Sequence, residues 1–252
     1  MEAAMTPYYE QDGIVIFHAD CRDVLPMLEP GSVDFIFTDP PYGHNNNNGD
    51  LIQRREAALG VGAAGAPRPI TNDGADANDL VRFAFGEFDR LLKPGCCCCC
   101  CCCGGGGPDP QFARWSLWLD EAVGFKQMVI WDKGPMGMGW HYRRSYETVL
   151  VGEKPGAACH WYDTTGRVEN ILRHIPKIIP SAAEHPTPKP VRLAAHFIRL
   201  HSQEGELVLD PFMGGGSTME AARLLGRCFL GIEIAEEYCE IAAKRLQQGV
   251  LL

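Results

Sequence analysis

No apolar run in the sequence approaches the length of a membrane span, and the opening MEAAMTPYYEQDG lacks the basic and apolar regions of a signal peptide. Cytoplasmic residence without a membrane partner is the default expectation. Basic residues are also scarce: 23 Lys and Arg stand against 32 Asp and Glu, a net charge of −9, which argues against a protein that coats nucleic acid. Nor is there a disulfide framework, because eight of the twelve cysteines form the single run 96–103 and the other four are scattered. Adjacent cysteines on an extended chain point to opposite faces and do not converge on one ion, so a fully buried strand is expected there and no metal. No cysteine follows a proline, which disfavours a nucleophile of the Pro-Cys kind.

What is present begins with TDPPYG at position 38, immediately after the apolar run VDFIF. Two prolines end strand pairing and restrict the residue before each of them, so Asp39, Pro40, Pro41 and Tyr42 read as a stiff mount at a strand end. The 46% hydrophobic content supports a real core, and strands alternate with helices along the chain. GIVIFHAD, VDFIFTD, the cysteine run, KQMVIW, ETVLV, ELVLDPF and CFLGIEI read as strands. Helices are expected at CRDVLPMLEP, weakened by Pro26, from about Asn78 with Asn78 or Asp79 as cap, over about 112–123, at VRLAAHFIRLHS, at GSTMEAARLLG and at EEYCEIAAKRLQQ. This alternation implies a single α/β domain over 1–252 with a mostly parallel, doubly wound sheet. Residues 43–78, rich in Gly, Ala, Asn and Pro, read as a mobile loop able to close over a substrate.

The second informative stretch is LVLDPFMGGGST, a strand ending in Asp210 that enters a helix through glycines. Such a turn lets backbone N–H groups approach a ligand, and Glu233, about twenty residues on at the end of LGIEI, is placed to accept ribose hydroxyls. DPFMGGGS is not the dinucleotide fingerprint G-x-G-x-x-G, yet the nucleotide site by itself leaves NAD and S-adenosylmethionine open.

TDPPY together with DPFMGGGST, GIEI and HPTPKP resembles the S-adenosylmethionine-dependent DNA amino-methyltransferases, in the permuted arrangement with the DPPY motif before the cofactor motif. The resemblance runs from about Ile14 to Arg245. It implies a Rossmann-like, seven-stranded sheet with one antiparallel strand, the class I methyltransferase fold. It also implies that Asp39 and the Pro40 carbonyl accept hydrogen bonds from the exocyclic amine of a flipped base, on which Tyr42 stacks. Asp210, Phe212, Gly214, Gly216, Ser217 and Thr218 would line the cofactor, Glu233 would bind its ribose, and Asp20 and Cys21 would lie near its adenine. His185, Thr187 and Lys189 would approach its methionine portion, with Pro188 standing where the family commonly has glutamine. The partner implied is double-stranded DNA, and dimers are frequent in this arrangement.

Charge asymmetry suits such a partner, since residues 126–199 carry eleven Lys and Arg against six Asp and Glu, interleaved with Trp140, Tyr142 and Trp161. An ordinary solvated surface explains the same segment equally well. Arg54 and Arg55 in the loop, and His141, Arg143 and Arg144 across a cleft, are the candidate DNA contacts, with 153–184 as a short candidate target-recognition region. His18, His196 and His201 are read as structural. DPPY leans to adenine N6 within the family. Cytosine N4 transfer and an inactive DNA-binding module are the alternatives.

Overall fold

The computed structural model of the chain describes residues 5–43, 71, 73–74, 76–102, 111–134, 141, 145–177 and 189–247. Among these residues nine strands form one sheet: β1 (Tyr9–Gln11), β2 (Ile14–His18), β3 (Val33–Thr38), β4 (Leu92–Cys102), β5 (Phe125–Asp132), β6 (Tyr146–Glu153), β7 (Ile171–Leu172), β8 (Leu207–Asp210) and β9 (Cys228–Glu233). Their order is β1-β2-β9-β8-β3-β4-β6-β5-β7. The expected seven strands are therefore exceeded by two. The additions are edge strands of three and two residues, β1 and β7, too short to leave a period-two pattern in the sequence. β6 runs antiparallel to both β4 and β5, and β1 antiparallel to β2, so two strands rather than one oppose the main direction.

Among the described residues six α-helices cover the sheet: α1 (Cys21–Val24), α2 (Ala77–Leu91), α3 (Gln111–Ala122), α4 (Val191–His201), α5 (Ser217–Leu224) and α6 (Glu236–Gln247). Pro26 splits the expected first helix, leaving one α turn followed by a 3-10 turn over Leu25–Met27. In α2 the residues Leu80, Val81, Ala84, Phe85, Phe88 and Leu91 recur at helical spacing and are all buried. Its cap is Asp76 rather than Asn78, whose side-chain oxygen instead accepts from the Trp115 indole at 3.0 Å. α1, α2 and α3 pack on one face of the sheet, and α4, α5 and α6 on the other.

The cysteine strand sits between these layers and divides by parity. Cys97, Cys99 and Cys101 enter the core under α4 to α6, while Cys96, Cys98 and Cys100 enter the core under α2 and α3, each no more than 2% exposed. A small apolar side chain on both faces suits a strand flanked by β3 and β6 and roofed on both sides. Burial pushes the thiols of Cys96 and Cys98 well up, so they stay protonated. Among the described residues no group of three or more His, Cys, Asp and Glu is placed to hold a metal ion, and no helix is long and apolar enough to cross a membrane.

The connections decide where a ligand fits. From β8 the chain crosses through α5 to β9 on one side, and from β3 through α2 to β4 on the other. Because α5 and α2 lie on opposite faces, the crossovers diverge between the neighbouring strands β3 and β8 and open a crevice at their carboxyl ends.

Candidate active site

Asp39 to Tyr42 leave β3 and Asp210 ends β8, so both motifs meet at this crevice. They are tied together directly. The Thr38 hydroxyl donates to Asp210 Oδ1 at 2.8 Å, the Phe212 amide donates to the same oxygen at 3.1 Å, and the Thr218 hydroxyl also bonds that carboxyl. Burial at 2% exposure pushes the Asp210 pKa up to about 7 against these three donors. The unfolded chain releases this proton near pH 4, so the folded form binds it more tightly, and the stabilisation is complete below that pH and lost as pH rises through about 7. Burial raises Asp39 and Glu233 in the same direction. The unliganded protein is expected to lose roughly 2 to 4 kcal/mol of stability between about pH 5 and 8, and Asp210→Asn to flatten that slope. Parallel denaturant titrations of both forms test this, and identical slopes would place the linkage elsewhere.

Around the glycine turn, the Gly214 amide donates to Glu233 Oε2 at 2.9 Å and the Ala235 amide to Oε1 at 2.8 Å. Gly216, immediately before α5, has φ of 84°, and a Cβ there would lie 3.0 Å from Ala242 Cβ. Only glycine fits both the left-handed backbone and that approach. Held by the Gly214, Ala235 and Ile234 amides, Glu233 is fixed while its oxygens keep lone pairs that could accept from a diol. Glu233→Ala is expected to weaken cofactor binding by about 1.5 to 3 kcal/mol. Glu233→Gln should be nearly as damaging, because an amide NH₂ would face one of the backbone donors. Calorimetry with S-adenosylmethionine measures both, and unchanged affinity in either variant would contradict the ribose contact that the resemblance implies.

β2 pairs with β9 so that His18 stands opposite Glu233, which brings Asp20 and Cys21 to the same edge. Asp20 caps α1 through the Arg22 amide at 2.9 Å and holds the Arg22 guanidinium at 2.6 Å, which keeps its pKa low. Cys21 is buried, with its thiol pushed up to about 12. His18 contacts the Ile234 carbonyl at 3.1 Å, and burial lowers half-buried His196 and buried His201 to about 4, leaving both neutral.

The mount itself is held by residues that the sequence did not single out. Asp73 Oδ1 accepts from the Tyr42 amide at 3.0 Å and from the Gly43 amide at 2.8 Å, and the Gln111 side chain donates to the Tyr42 carbonyl at 3.0 Å. The Tyr42 ring stacks on buried Trp115, with centroids 5.9 Å apart and planes at 29°. Its hydroxyl donates to Asp39 Oδ1. Asp73 falls in the stretch read as a mobile loop, and only its acidic character before a helix start could have pointed to it. Lys189, which the resemblance places near the methionine end of the cofactor, reaches Asp39 Oδ2 at 2.5 Å and the Tyr42 hydroxyl at 3.1 Å. Behind it, Glu147 at the start of β6 lies 3.6 Å from Lys189 and 2.7 Å from Lys133. Pro40 is buried and Pro41 half-buried. His141 is exposed; Arg54, Arg55, Arg143, Arg144, His185 and Thr187 lie outside the described residues, as does most of 43–78.

With this geometry established, the comparisons with known proteins identify the chain. Residues 33–244 match the N6/N4 family of DNA methylases. The chain belongs to that family. The type II methyltransferase M2.DpnII of Streptococcus pneumoniae is 27% identical over 266 residues, spanning 96% of this chain and 92% of the relative. The solved structure of TTHA0409 from Thermus thermophilus in complex with S-adenosyl-L-methionine is 25% identical with a TM-score of 0.65, covering 91% of this chain and 93% of that one. The PvuII DNA methyltransferase, cytosine-N4-specific, shares the fold at 17% identity with a TM-score of 0.73, covering 99% of this chain and 92% of its own. The protein is thus a DNA methyltransferase using S-adenosylmethionine, and its sheet and flanking helices are those of a Rossmann-like methyltransferase with two added edge strands.

Proposed function

We propose that the protein methylates the exocyclic N6 of adenine flipped from double-stranded DNA, in the permuted arrangement in which the DPPY mount precedes the cofactor turn. The observation that carries this reading is the carboxylate of Asp39, fixed beside Tyr42 at the same crevice as Asp210. The cofactor fits the Asp210 to Thr218 turn, with Glu233 on its ribose, and supplies an electrophilic methyl on sulfonium. An exocyclic amine is a poor nucleophile because its lone pair is delocalised into the ring. Acceptance of its hydrogens by Asp39 and the Pro40 carbonyl localises that pair. The amine nitrogen would then take the methyl carbon, the sulfonium keeping the electrons of the broken carbon–sulfur bond, and would lose one proton towards Asp39 and solvent. Holding donor and acceptor in line supplies much of the rate. Extruding the base costs a few kcal/mol, which an aromatic platform at Tyr42 offsets in part.

DNA would approach along the carboxyl edge of the sheet. There a concavity of about 390 Å³ is lined by Asp132, Lys133, Arg173, His174, Ile175 and Pro176, and its basic side chains suit phosphate. We also propose contacts to DNA from Arg54 and Arg55 and, across a cleft, from His141, Arg143 and Arg144, a 43–78 loop closing over the DNA, target recognition by residues 153–184, and pairing of two copies as a dimer. Incubation with tritiated S-adenosylmethionine and unmethylated DNA, followed by nucleoside analysis, tests the product. N6-methyladenine is expected, whereas N4-methylcytosine would transfer the same mechanism to the other base, and no label in DNA would leave a binding module.

A further inference from the structure

Both groups that a flipped base would use are engaged by one side chain. The Lys189 ammonium is 2.5 Å from Asp39 Oδ2 and 5.4 Å from the centroid of the Tyr42 ring. Its side chain is 11% exposed, so leaving Asp39 without another anion to meet would strand a charge in a site that solvent barely reaches. A second carboxylate lies within reach, since Glu147 Oε2 is 3.6 Å from the same nitrogen. Glu147 is itself 12% exposed and is held through Oε1 by Lys133 at 2.7 Å. An amine attacking a sulfonium methyl gains positive charge on nitrogen. An ammonium remaining on the accepting carboxylate would oppose that charge and draw off the electron density that Asp39 provides.

We propose that Lys189 is a displaceable placeholder for the target base: it holds the Asp39 carboxylate and the Tyr42 ring until the flipped base takes both, and then moves to Glu147, which Lys133 keeps in position. Lys189 also counters, in part, the burial that favours protonation of Asp39. Glu147 is a positioning residue in this scheme, acting on the base only through Lys189. The inference rests on the reading of Asp39 to Tyr42 as the base-binding mount.

The test is a double-variant cycle in the full-length protein, read by the emission of 2-aminopurine placed at the methylated position of a duplex whose target has been mapped by sequencing methylated DNA. This readout of flipping needs no turnover, so it remains usable in variants that transfer no methyl group. Glu147→Gln is expected to reduce the flipped fraction and to lower kcat/KM for DNA by roughly 10- to 100-fold, as when a buried ionic partner is lost, with S-adenosylmethionine affinity unchanged. Glu147→Asp should recover part of the loss. In a Lys189→Met background nothing has to move, so Glu147→Gln should then leave the flipped fraction unaltered. An equal loss in both backgrounds, or normal flipping in Glu147→Gln, would overturn the placeholder while leaving the methyltransferase reading intact. Failure of the unaltered protein to label DNA would remove that reading, and the placeholder with it.

Discussion

Asp39→Ala should abolish methyl transfer while leaving S-adenosylmethionine binding largely in place. In the proposed mechanism the carboxylate acts on the amine; it lies on the β3 side of the crevice, whereas the glycine turn and Glu233 lie on β8 and β9. Truncation leaves the Lys189 ammonium without its 2.5 Å partner, and Glu147 at 3.6 Å is the anion it should then adopt. The fold should therefore survive even though the chemistry does not. The expected fall in single-turnover rate is on the order of 10³-fold, the scale of losing a preorganised electrostatic group at a reacting centre. Asp39→Asn should also be severe, because its carbonyl oxygen retains one acceptor without the charge. Turnover within tenfold of the unaltered protein in Asp39→Ala would remove the carboxylate from the mechanism. Loss of cofactor affinity of similar size would make Asp39 a structural element of the cofactor site instead.

The second large effect is expected at Trp115, a residue outside both motifs. Its side chain is fully buried, its indole donates to Asn78 at 3.0 Å, it packs edge-on to Phe85 at 6.4 Å, and it carries the Tyr42 ring on its face. Trp115→Ala should cost about 3 to 5 kcal/mol of stability, the range for emptying a large aromatic site. It should also slow methyl transfer at temperatures where the variant remains folded, since Tyr42 loses its support. Trp115→Phe should keep most of the stacking and lose chiefly the bond to Asn78, about 1 kcal/mol. Denaturant unfolding and transfer rates measured on both variants separate the two roles. A Trp115→Ala protein with normal rate would show that Tyr42 is positioned without Trp115, and a loss below about 1 kcal/mol would contradict the packing.

Local sequence determined the elements whose information is local. The alternating apolar stretches located β2, β3, β8 and β9; the spacing of Leu80 to Leu91 located α2; and the parity of the cysteine run followed from the two-residue period of a strand. The two prolines stopped β3 at the mount, and the glycines before α5 marked a turn that requires a left-handed residue at 216. Tertiary structure alone decided the strand order, and with it the crevice, because which strands become neighbours depends on how the helices partition between the two faces. The edge strands β1 and β7 are likewise tertiary, being too short to pair except along an existing edge. Long-range contact also supplied the environment of the mount: Asp73 and Gln111 reach it from 31 and 69 positions away along the chain, and Lys189 from 150. A carboxylate that binds two backbone amides has no period and no motif, and HPTPKP marked Lys189 without disclosing that it meets Asp39. Their identity as partners exists only once the sheet has brought the ends of β3, β6 and β8 to one edge, where burial makes each unpaired charge costly enough to select its neighbour.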